Sequence, residues 1–247
     1  MSLSILPVRT RSDVRAFHAL PRSIYADIPH WVSPIIFDRK KTLDLRKNPL
    51  WQRASRELWI ARQDRRPVGR ICAIDFPAHS ETHGEDLGFF GFFEAIDDVQ
   101  VAAQLFGAAE EWLKERGCQR IRGPLNPTIN DESGLLVDGF EDAPQILMPY
   151  NPQYYESLIE SVGLGAVKDL YAWRLTPEFL TAKLERVRTA VASRYNVSTK
   201  GFRFGPKSAF QEDVALLRSL YNRGWEDNWG AIQMTNAEFD FVATDLK

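Results

Sequence analysis

Between Gly123 and Tyr155 the chain reads GPLNPTINDESGLLVDGFEDAPQILMPYNPQYY. Asn126, Asn130, Asp131 and Glu132 crowd together here, in a segment stiffened by Pro124, Pro127, Pro144 and Pro149. Proline fixes φ and restricts the residue before it, so this connector cannot be one long helix. Amides and carboxylates ordered in a stiff loop cost conformational entropy, and such loops commonly carry binding groups. Two readings stand. The cluster lines a polar substrate pocket, or its side chains close local turns by bonding nearby backbone. Tyr150, Tyr154 and Tyr155 follow, either as hydroxyls aimed at that pocket or as packing anchors before a helix. His79 and His83 bracket HSETH, which lacks the H-E-x-x-H order and reads as a turn flanked by Pro77 and Gly84. No metal is expected there. Neither a G-x-S-x-G elbow, a phosphate loop nor a G-x-G-x-x-G run is present.

These groups need elements to position them. Ser4–Val8 reads as a strand and Arg9–Ala26 as a helix capped at Ser12. Ile28–Asn48 reads as loop, with the basic run Arg39, Lys40 and Lys41 as a solvated face. Leu58–Gln63, Pro67–Phe76 and Leu87–Glu94 read as an antiparallel meander, turned first at Arg65-Arg66. The third run, LGFFGFFE, carries Phe on both faces, so both faces should be buried. Its Gly88 and Gly91 point to a bulge or to close approach by another backbone or a ligand. Asp97–Arg116 is the clearest helix, with Val99, Ala102, Phe106, Ala109 and Leu113 along one stripe and Gly117 as its stop. Gln119–Arg122 is then a strand, and a strand–helix–strand unit demands a parallel pairing. A helix over Pro152–Val162, capped by Asn151, and a strand over Val167–Leu175 complete this part.

From Thr176 the pattern restarts. Helices are expected over Leu184–Tyr195 and Ser208–Gly224, a strand over Gly201–Gly205, and a last helix after the capping box Thr235–Glu238. Arg22-Ser23-Ile24-Tyr25 echoes Arg218-Ser219-Leu220-Tyr221. The division is therefore a first domain over residues 1–176 and the start of a second, mostly helical unit over 177–247 that looks cut short. Phe239, Val242 and Leu246 would leave an apolar side on the last helix, a surface suited to a homodimer.

Hydrophobic residues make up 44% and charged residues 26% of the 247, an ordinary globular composition. A net charge of -2 disfavours a nucleic-acid or anionic-membrane binder. Cys72 and Cys118 suggest neither a disulfide framework nor zinc-ligand spacing, which suits a reducing, cytoplasmic setting. No run approaches the roughly 18 apolar residues of a membrane span, and the opening residues lack the run of a signal peptide.

The element order from Ser4 to about Leu175 resembles the GNAT acyltransferase fold: a mixed, mostly antiparallel sheet flanked by helices. GFFGFFE at Gly88–Glu94, NDESGLLVDGF at Asn130–Phe140 and MPYNPQYY at Met148–Tyr155 are similar to segments of bacterial proteins with tandem GNAT-like halves. The resemblance implies an N-acyltransferase that uses acetyl-CoA or another acyl-CoA, without a metal, on a small-molecule or peptide amine. It makes Glu94 the candidate general base; the family's usual general-acid tyrosine position falls on Ile159, so Tyr150, Tyr154 or Tyr155 would substitute, Tyr150 being the candidate general acid. Asn126, Asn130, Asp131 and Glu132 would contact the acceptor. Glu94 also reads as a plain strand-end carboxylate. The family's R/Q-x-x-G-x-G/A loop is missing: Asp97, Asp98, Gln100 and Ala102 stand across it. Two carboxylates would face the pyrophosphate, a repulsion of roughly 1 kcal/mol or more at 4 Å. They read more simply as helix-capping charges. The alternative function is a binding or scaffolding module that kept the fold and lost the chemistry. A transferase using charged tRNA is disfavoured by the missing basic excess.

Overall fold

The structure is a computed structural model, described over residues 2–244. β1 (Leu3–Pro7) leads into α1 (Arg11–Ile24). Thr10, not Ser12, caps α1: its hydroxyl accepts from the Asp13 N–H while the Asp13 carboxylate reaches back to the Thr10 N–H. That reciprocal box satisfies two otherwise orphan donors, which Ser12 inside the first turn cannot do. The region expected to be loop, Ile28–Asn48, holds α2 (Ile36–Thr42), and a short 3₁₀ turn at Pro49–Gln52 follows it.

β2 (Ser55–Gln63) and β3 (Arg66–Asp75) form a hairpin. Its turn residues are Asp64 and Arg65, at φ 47° and 73°, one position earlier than the sequence suggested. Two left-handed residues match the twist of the flanking strands. α3 (Pro77–His83) replaces the turn expected around the two histidines and ends at left-handed Gly84. β4 (Leu87–Ala95), α4 (Val99–Lys114) and β5 (Arg120–Arg122) follow. The sheet order is β1-β2-β3-β4-β5, antiparallel except for the parallel β4–β5 pair that α4 connects. The sheet is thus mixed and mostly antiparallel, the arrangement that the resemblance implied.

All nine residues of β4 are buried. Phe90 and Phe93 pack with Phe106, Leu105 and Ala109 of α4 on one face. Phe89 and Phe92 join Phe17 of α1 and Trp51 on the other. Val99 is half exposed at the helix start, and Val101 and Leu105 carry the buried stripe instead.

β6 (Leu125–Asn126) and β7 (Glu132–Ser133) form a small ladder inside the connector. The next helix, α5, covers only Tyr155–Ser161. Asn151 does not cap it; its side chain bonds the Leu136 N–H and C=O and so clamps the connector. Val167–Leu175 is not a strand, and neither is Gly201–Gly205. Among the described residues no ladder partner runs beside either, and an unpaired strand leaves its backbone groups without partners. Trp173, at 82% exposed, shows how open the first segment is.

α6 (Ala182–Tyr195) buries none of its residues. α7 (Lys207–Trp225) and α8 (Asn236–Thr244) pack on each other through Val214, Phe239 and Ala243. The expected box forms at α8, with Thr235 and Glu238 each bonding the other's N–H. Glu238 also pairs with Arg53 of the first part at 2.9 Å. Phe239 is buried beside Tyr221 rather than offered to a partner, while Val242 is half exposed and Leu246 lies outside the described residues. No helix among the described residues is long and apolar enough to cross a membrane.

Candidate functional site

The site begins with an extra residue in β4. Arg70 pairs with Glu94 and Cys72 with Gly91, so two β4 residues oppose Ile71. Phe92 carries the bulge at φ 49°. Beyond Phe89, β4 and β5 no longer pair, and the connector enters beside β4. Gly91 makes this approach feasible: a Cβ there would lie 1.6 Å from the Leu125 carbonyl oxygen. The Phe92 N–H donates to Asn126 Oδ1 at 2.5 Å. Asn126 Nδ2 donates to Glu132 Oε1 at 3.2 Å, and the other Glu132 oxygen takes Arg39 of α2. Arg39 also lies 5.8 Å over the Phe92 ring. The arginine read as a solvated charge is thus half-buried in the site.

Past the bulge, Glu94 meets Arg70 at 3.2 Å and accepts from the Tyr155 hydroxyl at 2.7 Å. Tyr155 in turn accepts from the Ala95 N–H. Arg70 donates to the Phe17 carbonyl at 2.7 Å and lies over the Phe17 ring. Burial pushes the Glu94 carboxyl up, while Arg70 and then the tyrosine hydroxyls hold it back. Burial works against the Arg70 charge too, and the Glu94 carboxylate opposes that loss. Of Tyr150, Tyr154 and Tyr155, the one whose hydroxyl reaches Glu94 is therefore Tyr155, and Tyr25 also stands beside that carboxylate. The Tyr150 hydroxyl donates to the Phe140 carbonyl at 2.7 Å, and only the Tyr150 backbone approaches, accepting from Tyr25. Sequence reasoning missed Arg70 and Arg39 as site residues. Arg70 had one available signal, a charge in the middle of an otherwise apolar strand.

A cavity of about 420 Å³ opens between the connector and α7 and α8. Its walls are mostly apolar and include Phe89, Leu125, Leu217 and Phe239. Asn130 and Asp131 line it, whereas Asn126, Glu132, Glu94 and Tyr150 do not. Asn130 accepts from the Tyr221 hydroxyl of α7 at 2.8 Å. Asp131 accepts from the Thr128 hydroxyl at 2.7 Å and the Thr128 N–H at 3.2 Å, an arrangement that fixes its carboxylate. Burial is the main force raising the Asp131 carboxyl to about 6, with Glu132 adding to it and Thr128 and Arg39 opposing it. His79 also lines the cavity; burial lowers it to about 4, so it is neutral near pH 7, and its buried Nδ1 has no partner.

Asp131 thus binds its proton more tightly in the folded chain, at about 6, than at its ordinary 3.8. Its charge costs stability that is lost as pH rises from about 4 through about 6. Asp131→Asn keeps the turn acceptor and removes that charge. The variant should melt above the wild type near pH 8, by up to about 3 kcal/mol, with the gap closing near pH 4; thermal unfolding at both pH values checks this.

The start of α4, where the resemblance places the pyrophosphate of an acyl-CoA, does not suit it. Asp98 caps α4 by accepting from the Gln100 N–H at 2.8 Å, so carboxylates stand where a pyrophosphate would bind. The gap beside β4 is filled by Leu125 and Asn126. The residues of α4 and β4 do not suit that group.

No family model matches the chain. The chain is 38% identical over 239 residues to protein YghO of Escherichia coli strain K12, an alignment covering 96% of this chain and 60% of that protein. It is 35% identical over 246 residues to the bacterial ceramide synthase of Caulobacter vibrioides, covering 99% and 63%. The chain therefore spans less than two thirds of the length of either relative. Among solved structures it is similar to AAC(6')-Iy in complex with a CoA bisubstrate analog, at 13% identity and TM-score 0.42, over 71% of this chain and 99% of that one. It is also similar to a ribosomal-protein-alanine N-acetyltransferase from Brucella melitensis, at 18% identity and TM-score 0.41, over 70% and 98%. The chain carries a mixed, mostly antiparallel five-stranded sheet and aligns over nearly its whole length with these two bacterial relatives.

Proposed function

We propose that this chain forms the acceptor side of an N-acyltransferase: it holds an amine in the cavity beside the connector and removes its proton through Asp131. The observation that carries this reading is Asp131 itself, a half-buried carboxylate raised to about 6 on the wall of an apolar cavity. An amine attacks a carbonyl only through a free lone pair, so an ammonium must first lose a proton. A base with a pKa near the working pH, fixed by Thr128 and unable to rotate away, suits that task. Asn130, set by Tyr221, can accept a second amine hydrogen and orient the lone pair. In this reading Glu94 holds the end of β4, because both of its oxygens are already bonded. The acyl thioester would supply the activated carbonyl, and it would enter from outside the α4 and β4 region. The relative named a ceramide synthase supports the reading, since a ceramide is an N-acyl amide.

A second reading, a binding module without catalysis, draws on the filled gap beside β4. Amine-dependent release of CoA thiol from an acyl-CoA, with the amide identified by mass spectrometry, decides between the two. The acyltransferase reading expects amide from the wild type and a rate lower by about 100-fold in Asp131→Asn. Binding of amines with no amide from any acyl-CoA leaves the binding module.

A further inference from the structure

We propose that α6 and the segment before it, residues 171–195, dock on the surface of an anionic bilayer, the helix lying in the plane of the interface. The inference goes beyond the amine-acceptor reading and does not depend on it.

α6 is capped by the Thr181 hydroxyl and buries none of its residues. Leu184, Val187, Val191 and Tyr195 recur at three- and four-residue spacing, so they share one face. Each of them is between 45% and 65% exposed. A helix this short draws most of its stability from packing an apolar face, and here that face meets water. The residues before the helix extend the patch: Tyr171, Trp173, Leu175, Phe179 and Leu180 are all more than half exposed. A continuous apolar surface of this kind marks an interaction site.

Charge says what covers it. Arg174, Lys183, Arg186, Arg188 and Arg194 stand against Glu178 and Glu185, so residues 171–195 carry +3. The whole chain carries -2, which leaves -5 for the remainder and hides this asymmetry. Arg188 pairs with Glu185 and Arg174 with Asp142, but Lys183, Arg186 and Arg194 make no ion pair among the described residues. Arg188 stands four positions after Leu184, and Arg194 three after Val191, so cations border the apolar face. Such side chains reach lipid phosphates while their stems and the face between them enter the acyl boundary. Tryptophan and tyrosine rings favour the same depth. At 14 residues α6 is too short to span a bilayer. A second copy of α6 fits the face less well, because it would bring Arg188 and Arg194 against arginines of the same kind.

Co-sedimentation with vesicles of phosphatidylcholine alone, and of phosphatidylcholine and phosphatidylglycerol in equal parts, tests this. Partitioning should be at least tenfold stronger on the anionic vesicles, at roughly fivefold for each unpaired cation, and should weaken as salt is added. Lys183→Gln, Arg186→Gln and Arg194→Gln together should lose at least tenfold on anionic vesicles and nothing on neutral ones. Val187→Glu with Val191→Glu should lose at least tenfold on the anionic vesicles. Because α6 buries nothing, both variants should melt with the wild type, so a lost interaction is not a lost fold. Equal partitioning on the two vesicles, no partitioning on either, or unchanged partitioning of the valine variant overturns the proposal. A wild-type dimer in sedimentation velocity that the valine variant splits overturns it in favour of a second copy.

Discussion

Gly91→Ala should cost about 3 kcal/mol or more, near the upper end of what a single methyl does in a protein core. The new Cβ would sit 1.6 Å from the Leu125 carbonyl oxygen and 2.7 Å from its carbon. Both are backbone atoms, so no rotamer change relieves the clash. β6 must move, and with it goes the Phe92 N–H bond to Asn126. Gly88→Ala is the control three residues earlier. Its Cβ would meet Leu113 side-chain atoms at 2.4 Å and 2.8 Å, the ends of a flexible group. That substitution should cost about 1–2 kcal/mol. Urea unfolding of the two variants gives the comparison, and equal midpoints would mean the connector does not lie against β4.

Arg70→Met should cost about 3–5 kcal/mol near neutral pH, because it strands the Glu94 carboxylate in the core with only the Tyr155 and Tyr25 hydroxyls beside it. It also frees the Phe17 carbonyl from its donor. Without Arg70 the raised Glu94 carboxyl rises further. An acid whose folded pKa lies above its unfolded value regains stability as pH falls through the folded value. The deficit should therefore shrink on acidification, and adding Glu94→Gln should recover part of it at every pH. A deficit that is independent of pH, with no gain from the double variant, would show that Arg70 acts by packing alone.

Much of the sheet was legible because its signals are local. The double-faced Phe pattern of LGFFGFFE announced a strand buried on both sides, and the repeat along α4 announced its cover. Gly91 was readable as a close approach, though not the identity of what approaches. The site was harder, because its partners are distant in sequence. Arg39 looked solvated since Glu132 lies 93 residues away. Tyr155 could not be told from Tyr150 until α5 set which hydroxyl reaches Glu94. Val167–Leu175 has strand composition, but a strand exists only with a neighbour's ladder, and composition says nothing of the neighbour. Asn130 and Asp131 were singled out by density alone. The feature that gives them meaning, an apolar cavity closed by α7 and α8, depends on residues some 90 positions later.

The rate of amide formation as a function of pH, in the wild type and in Asp131→Asn and Asp131→Glu, tests the central claim most directly. Deprotonated Asp131 is the working form, so wild-type kcat/KM should rise with pH through about 6. Asp131→Glu should keep a shifted version of that rise, and Asp131→Asn should lose it along with about 100-fold in rate. A wild-type rate and an unaltered pH profile in Asp131→Asn would contradict the account.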